Sequence, residues 1–201
     1  MKSLNNYIIK PKGERYNNSI DVDGKSLIIN TEVFNHQYVN REAEILALPA
    51  NGNSKLKVGD TIVVHHNVFR RWHDVKGRER NSKAYYKDDM YFVSEDQIFA
   101  YKRVNKSSRF KQSEWKAMEG FCFVKPIKNR DKFSDDKEQS CVGIVKHNDG
   151  YFKKGELVGF TPFSTYEFVI DGERLYRVMN KFITIKYEYQ GDEEEYNPSW
   201  T

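Results

Sequence analysis

The sequence predicts an all-β protein made of two small β-barrels in tandem. Three observations predict it. One small unit is written twice, with its parts in the same order, and internal repetition reports fold before any single residue does. Short apolar runs alternate with turn signals, and no long segment has the apolar spacing of a helix. Aromatic residues make up 14% of the chain, with thirteen Tyr and thirteen Phe, which suits pleated strands and argues against disorder.

The first copy opens on Tyr7-Ile8-Ile9-Lys10-Pro11 and the second on Cys122-Phe123-Val124-Lys125-Pro126. Each leads into a polar stretch that reaches an arginine, Arg15 or Arg130. Each later has a Gly-acid turn feeding an apolar strand, Lys57-Val58-Gly59-Asp60-Thr61-Ile62-Val63-Val64 and Lys153-Lys154-Gly155-Glu156-Leu157-Val158-Gly159-Phe160. Each closes on a matched pair of runs, Tyr91-Phe92-Val93 through Ile98-Phe99-Ala100 and Tyr176-Arg177-Val178 through Ile183-Thr184-Ile185, which align without a gap.

In chain order, residues 5–12 read as a strand stopped by Pro11, which cannot donate to a ladder. Residues 13–42 are long and polar and contain one apolar island, Ser26-Leu27-Ile28-Ile29-Asn30, after the turn pair Asp23-Gly24. Residues 43–48 form a second strand, although propensity alone also allows helix. Pro49 to Asn53 is a turn, and Lys57 to Val64 a third strand entered through Gly59. Residues 65–87 are basic, with a turn at Gly77. Residues 90–93 and 97–103 are the closing strands, and Ser94-Glu95-Asp96 between them can start one helical turn.

Composition places a linker at 105–116, ending the first barrel at 104. The second barrel spans 117–190. Its long loop, Lys128 to Ser140, has no apolar island, and Asp171-Gly172 is its clearest hairpin turn. Residues 191–201 read as a mobile acidic tail.

The net charge of +4 is local. Arg70, Arg71, Lys76, Arg78, Arg80, Lys83 and Lys87 face only Asp74 and Glu79 within 70–87, so the remaining chain is about neutral. A globally basic nucleic-acid binder is therefore not indicated. Arg70, Arg71, Arg78 and Arg80, interleaved with Trp72, Tyr85 and Tyr86, could track phosphates and stack bases; the simpler reading is a solvated hairpin or a partner-binding patch.

Cys122 and Cys141 make neither a disulfide framework nor a zinc site. No leader is visible after Met1, and no apolar stretch approaches the roughly 20 residues that span a bilayer. The expectation is a cytoplasmic protein with no membrane contact. His65 and His66 are neighbours on a strand and point to opposite faces, so they do not converge on a metal. Hydrolase, zincin, phosphate-loop and dinucleotide motifs are absent, so neither enzyme nor cofactor is expected. Leu27-Ile28-Ile29 has two readings: a normally packed short strand, or a recognition segment that orders when its side chains fill a partner's pocket.

These motifs in this order resemble the GroES-type (chaperonin-10) co-chaperonins, in tandem. Copy one supplies Leu27-Ile28-Ile29 in a loop, then Glu44-Ile45-Leu46-Ala47, Leu56-Lys57-Val58-Gly59-Asp60-Thr61-Ile62-Val63, and Met90 to Ala100. Copy two supplies Gly143-Ile144-Val145, Lys154-Gly155-Glu156-Leu157-Val158 and Glu167 to Tyr176. The usual Gly-Gly before the tripeptide is missing, copy two has no tripeptide, and both roof hairpins (Pro49–Ser54 and about His147–Tyr151) are short.

The Lys-, Asn- and Tyr-rich character is similar to that of bacteriophage proteins. The resemblance implies a ring or other homo-oligomer, with Tyr7, Ile8 and Ile9 of one barrel meeting Tyr187 and Tyr189 of the next. It implies Leu27, Ile28 and Ile29 as the contact to a GroEL-like chaperonin large subunit, which hydrolyses the ATP. The alternative is a virion or other structural protein using the same barrels as an adhesive scaffold. In either case copy one reads as the binding half and copy two as scaffold.

Overall fold

The computed structural model describes residues 3–16, 19–28, 39–51, 54–103, 113–131, 133–188 and 191–198. Strands account for 49% and, among the described residues, no helix reaches seven residues, so the fold is all-β. Among the described residues no helix is long and apolar enough to cross a membrane. The chain divides into two compact units, Met1–Glu114 and Trp115–Thr201.

Unit one contains β1 (Tyr7–Pro11), β2 (Ser19–Val22), β3 (Lys25–Ile28), β4 (Glu42–Ala47), β5 (Thr61–Val64), β6 (Trp72–His73), β7 (Glu79–Arg80), β8 (Tyr91–Val93) and β9 (Ile98–Lys102). Its main sheet runs β9-β5-β4-β1-β8, with every pairing antiparallel. Unit two contains β10 (Trp115–Ala117), β11 (Phe121–Lys128), β12 (Glu138–Asn148), β13 (Leu157–Phe160), β14 (Thr165–Ile170), β15 (Glu173–Met179) and β16 (Ile183–Tyr187). Its sheet runs β16-β13-β12-β11-β15-β14. Apart from β14, this is the order of unit one strand for strand.

The repetition extends to irregularities. A bulge falls between Ile8 and Ile9 on β1 and between Phe123 and Val124 on β11. A second falls between Val63 and Val64 on β5 and between Gly159 and Phe160 on β13. Extra residues of this kind bend a strand and increase its twist, so both sheets bend at matched points. The Gly-acid turns are also the same object. Gly59 and Gly155 sit at φ +88° and +89°, a left-handed region that glycine enters without a Cβ penalty. Their N–H groups donate to Ile45 O and Val145 O, both at 2.8 Å. The carboxylates of Asp60 and Glu156 accept from Lys57 N and Lys153 N at 2.9 and 3.1 Å.

The two closing runs are not a hairpin. β8 pairs with β1 and β9 with β5, at opposite ends of the sheet. Ser94 and the 3-10 turn Glu95–Gln97 separate them. A 3-10 turn rises only about 2.0 Å per residue, whereas the ends of a flat sheet of this order lie roughly 19 Å apart at about 4.8 Å per strand. The sheet therefore curls so that its end strands approach. Unit two repeats this with Asn180–Phe182 between β15 and β16. Among the described residues neither sheet closes on itself, so the curled sheets are open and barrel closure is not seen.

Ile8, Ile9, Ile45, Leu56, Ile62, Phe69, Tyr91 and Ile98 are fully buried in unit one. In unit two Cys122, Val124, Val145, Val158, Phe160 and Val178 pack as one cluster, while Ile127, Ile144 and Leu157 pack as another. β13 contributes to both, which explains why all four of its residues are buried. Burial pushes the Cys122 thiol up to about 12, so it behaves as an apolar side chain. Trp115 and Lys116, expected at the end of the linker, instead belong to β10, and Trp115 Nε1 donates to Asp171 Oδ2 at 3.0 Å.

Candidate functional site

The segment between β1 and β4 carries the hairpin β2–β3, a two-stranded ribbon separate from the main sheet. Its turn is Asp23-Gly24 at φ 52° and 76°. Two positive φ values at the centre of a two-residue loop match the twist of the flanking strands. Leu27 is 55% exposed and Val22 47% exposed, so the ribbon presents apolar side chains to solvent. Ile28 is the last residue of β3, in register with Ser19. Ile29 lies outside the described residues. An isolated two-stranded ribbon is marginally stable, so its apolar surface is held on a weak support.

The basic segment folds as the hairpin β6–β7. Asp74 organises its turn, with Oδ1 accepting from Lys76 N and Arg78 N, both at 2.9 Å. Those donors, led by the Arg78 amide, and Arg80 hold the Asp74 carboxyl below its usual range. Arg80 Nη2 lies 3.0 Å from Asp74 and Arg71 Nη1 2.9 Å from Glu79. The Arg71 guanidinium also stacks 4.7 Å from the Tyr16 ring centre. Arg71 and Arg80 are thus engaged within unit one. Arg70 lines a cleft of about 500 Å³ with Trp72, Lys83 and Gln97. Arg78 lies on the exposed hairpin beside Gly77 (φ +73°), where the turn was expected.

Tyr7, Ile8 and Ile9, expected at a subunit seam, lie on an inner strand of the sheet. β1 is an inner strand, hydrogen-bonded to β4 and to β8. The three side chains are 2%, 1% and 0% exposed. They are core because their backbone edges are already paired and their side chains fill the sheet interior. At the opposite seam, Tyr187 ends β16, which among the described residues is an edge strand paired with β13. Its ring lies over Gly159, where an added Cβ would come within 3.1 Å of Tyr187 Cε2. Ile185, two residues earlier, is 48% exposed. Tyr189 lies outside the described residues.

The acidic tail, expected to be mobile, is docked over residues 191–198. Lys128 N donates to Glu194 O at 2.7 Å and Tyr196 N to Pro126 O at 2.8 Å. This places the tail against the end of β11, beyond the part that β15 covers. Lys128 pairs with Glu194, Arg130 with Asp192 and Glu193, and Lys146 with Glu195. Asn197 Oδ1 accepts from Lys125 Nζ at 2.6 Å and from Arg174 N at 3.0 Å. Lys125 is 2% exposed, and burial lowers its pKa. The opposite charges of tail and strand were visible in the sequence; their contact was not.

A polar clamp on β12, β14 and β15 was also missed. Arg174 donates to Glu167 Oε2 at 2.9 Å, to Glu138 Oε2 at 2.6 Å and to the Tyr176 hydroxyl. Tyr176 donates to Glu138 Oε1 at 2.5 Å. Burial, then the Glu138 contact, drives the Tyr176 hydroxyl pKa far above its usual value. Tyr91, its counterpart, donates to Asp89 at 3.1 Å under the Arg15 guanidinium. Both clamps join elements and leave no poised nucleophile. Among the described residues no group of His, Cys, Asp and Glu converges to hold a metal.

No family model matches the chain, and no curated protein matches it.

Proposed function

We propose that the chain is a co-chaperonin-type cap for an ATP-dependent chaperonin, built from two GroES-like open barrels. The observation that carries this reading is the β2–β3 ribbon, which stands apart from the core sheet and exposes Leu27. The ribbon occurs between the first and second main strands of unit one, whereas the corresponding stretch of unit two has no apolar tripeptide, only the single residue Phe133. A small apolar contact on a marginal support gives moderate, reversible affinity per copy. Several copies on one assembly then give avidity. Assembly through the β16 edge, with its exposed Ile185 and Tyr187, supports the cap and removes an open strand edge.

The test is capture of a GroEL-like chaperonin with nucleotide by the wild-type chain and by Leu27→Asp and Ile28→Asp. Both substitutions are expected to abolish capture while unit one keeps its thermal transition. Capture that survives both overturns the reading.

A second reading has its own observation. Phe133, Phe163 and Tyr151 of unit two are 99%, 105% and 77% exposed, and Phe163 adopts φ +58°. Exposed aromatics are interface anchors, which favours a structural protein assembling through unit two. Purification within assembled particles, with no chaperonin bound, would select it.

A further inference from the structure

Unit two contains a cavity of about 460 Å³ between the docked tail and the sheet, a volume in the range that holds small ligands. Its apolar walls are Ile127, Val142 and Leu157, with Tyr187 beside them. Ile127 and Leu157 are 4% and 5% exposed, so these walls are part of the core. The Tyr187 wall is held in place by its close approach to Gly159.

Glu193 lines the same cavity, and its side chain is 5% exposed. One carboxylate oxygen, Oε1, lies 3.2 Å from Arg130 Nη2. The other, Oε2, is buried and has no donor among the described residues. Buried carboxylate oxygens are normally paired, because leaving one without a donor is costly. Arg130 is shared with Asp192, also at 3.2 Å, and Glu188 adds a further carboxylate to the lining. Arg130 lines the cavity as well, so its polar end sets two carboxylates, Glu188 and Glu193, against one guanidinium and is acidic by one charge.

We infer that this cavity is a binding site for a primary alkylammonium group, with the ammonium on Glu193 Oε2 and its methylene stem along Ile127, Val142 and Leu157. A cation supplies both the missing donor and the missing charge, as a charge-assisted hydrogen bond. The Tyr187 ring favours a cation near its face. The stem removes apolar wall from water without asking for further polar contacts. A lysine side chain on a partner segment and a free aliphatic amine present this same chemistry. The site is independent of the β2–β3 ribbon and does not rest on the co-chaperonin reading.

The full chain is titrated with n-pentylammonium and followed by amide NMR at Gly159, Tyr187 and Glu193. Saturable shifts at these positions are expected. Glu193→Gln is expected to weaken binding roughly tenfold or more. Glu195→Gln, which touches Lys146 outside the cavity, is expected to leave it unchanged. Val142→Phe fills the cavity from the apolar side, leaves Glu193 in place, and is expected to remove binding even if Glu193→Gln disturbs the tail.

Nα-acetyl-lysine methylamide distinguishes the sources. Tighter binding than pentylammonium assigns a peptide lysine, and weaker binding a free amine. The proposal is overturned by no saturable shift at concentrations on the order of tens of millimolar. It is equally overturned by pentanol binding as well as pentylammonium, or by undiminished binding in Glu193→Gln.

Discussion

The two units share a sheet order, two bulge positions and a glycine turn, yet differ in nearly everything attached to them. Unit one inserts a ribbon after β1 and a charged hairpin after β5. Unit two has neither, but adds the full strand β14 and a docked tail. Copy one has the stub of that β14 hairpin: Tyr85 bridges to Tyr91, and Asp88-Asp89 turn at φ 49° and 59°. The difference teaches that backbone register is fixed by a few shared positions, while connections are free to diverge because they pay only a slowly growing closure cost. Lys10 and Lys125 make the point within one register position. Lys10 is exposed, whereas Lys125 is buried beneath Asn197.

Substitution at matched positions can break or sharpen this equivalence. The largest effect is expected for Tyr91→Ala. Tyr91 is fully buried against Phe69, with ring centres 4.8 Å apart, and loss of a buried aromatic costs about 3–5 kcal/mol. Tyr176→Ala removes a partly exposed ring and should cost less; chemical denaturation followed by unit-specific NMR signals checks the order.

Next comes Gly143→Ala. Gly143 and Ala43 sit opposite Pro126 and Pro11 in matching registers. A Cβ at Gly143 would lie 2.7 Å from Lys125 O, a backbone atom. Overpacking of this kind costs about 1–3 kcal/mol. The converse change, Ala43→Gly, should cost only about 0.5–1 kcal/mol. Equal costs in denaturant melts would mean that the two sheets do not differ at this position.

Gly59→Ala and Gly155→Ala should each cost about 1–2 kcal/mol for a Cβ in the left-handed region. They should agree within about 0.5 kcal/mol, the scatter of independent sites. A large gap between them in the same assay would show that the two turns bear unequal loads.

The smallest effect is a pH slope peculiar to unit two. Burial, then Lys154, lowers the His147 pKa. The unfolded chain therefore binds the proton more readily than the folded one, and stability falls as pH drops from the ordinary histidine value toward the folded one. His147→Ala installs the residue that copy one has there, Ala47, and should flatten the slope in melts between mildly acidic and neutral pH.

Much of this fold was legible because its determinants are local. Glycine turns, the Asp23-Gly24 and Asp171-Gly172 hairpins, and the single turn after Ser94 follow from backbone preferences of a few neighbouring residues. The inner position of β1 was not legible. An apolar Tyr-Ile-Ile run suits a buried strand and a subunit seam equally, and only the pairing of both edges decides. The closing runs illustrate the same limit, since two strands adjacent in sequence give no sign that they lie at opposite ends of a curled sheet. The docking of the tail was not legible because its acidic residues are held by distant partners, Lys128, Arg130 and Lys146. The Glu193 site needed the same long-range contact, and no spacing near Glu193 announces it.

The bond between Lys125 and Asn197 joins residues 72 positions apart. During synthesis, β11 emerges long before the residue that shelters its lysine. Unit one also pairs its first strand late, with Tyr7 opposite Val93, but Lys10 on that strand needs no cover. Long-range contacts of this kind slow folding, and strands waiting for partners are exposed to aggregation. A chain cut before residue 197 leaves the buried Lys125 ammonium without its Asn197 acceptor, with the Glu173 carboxylate 3.9 Å away as its neighbour.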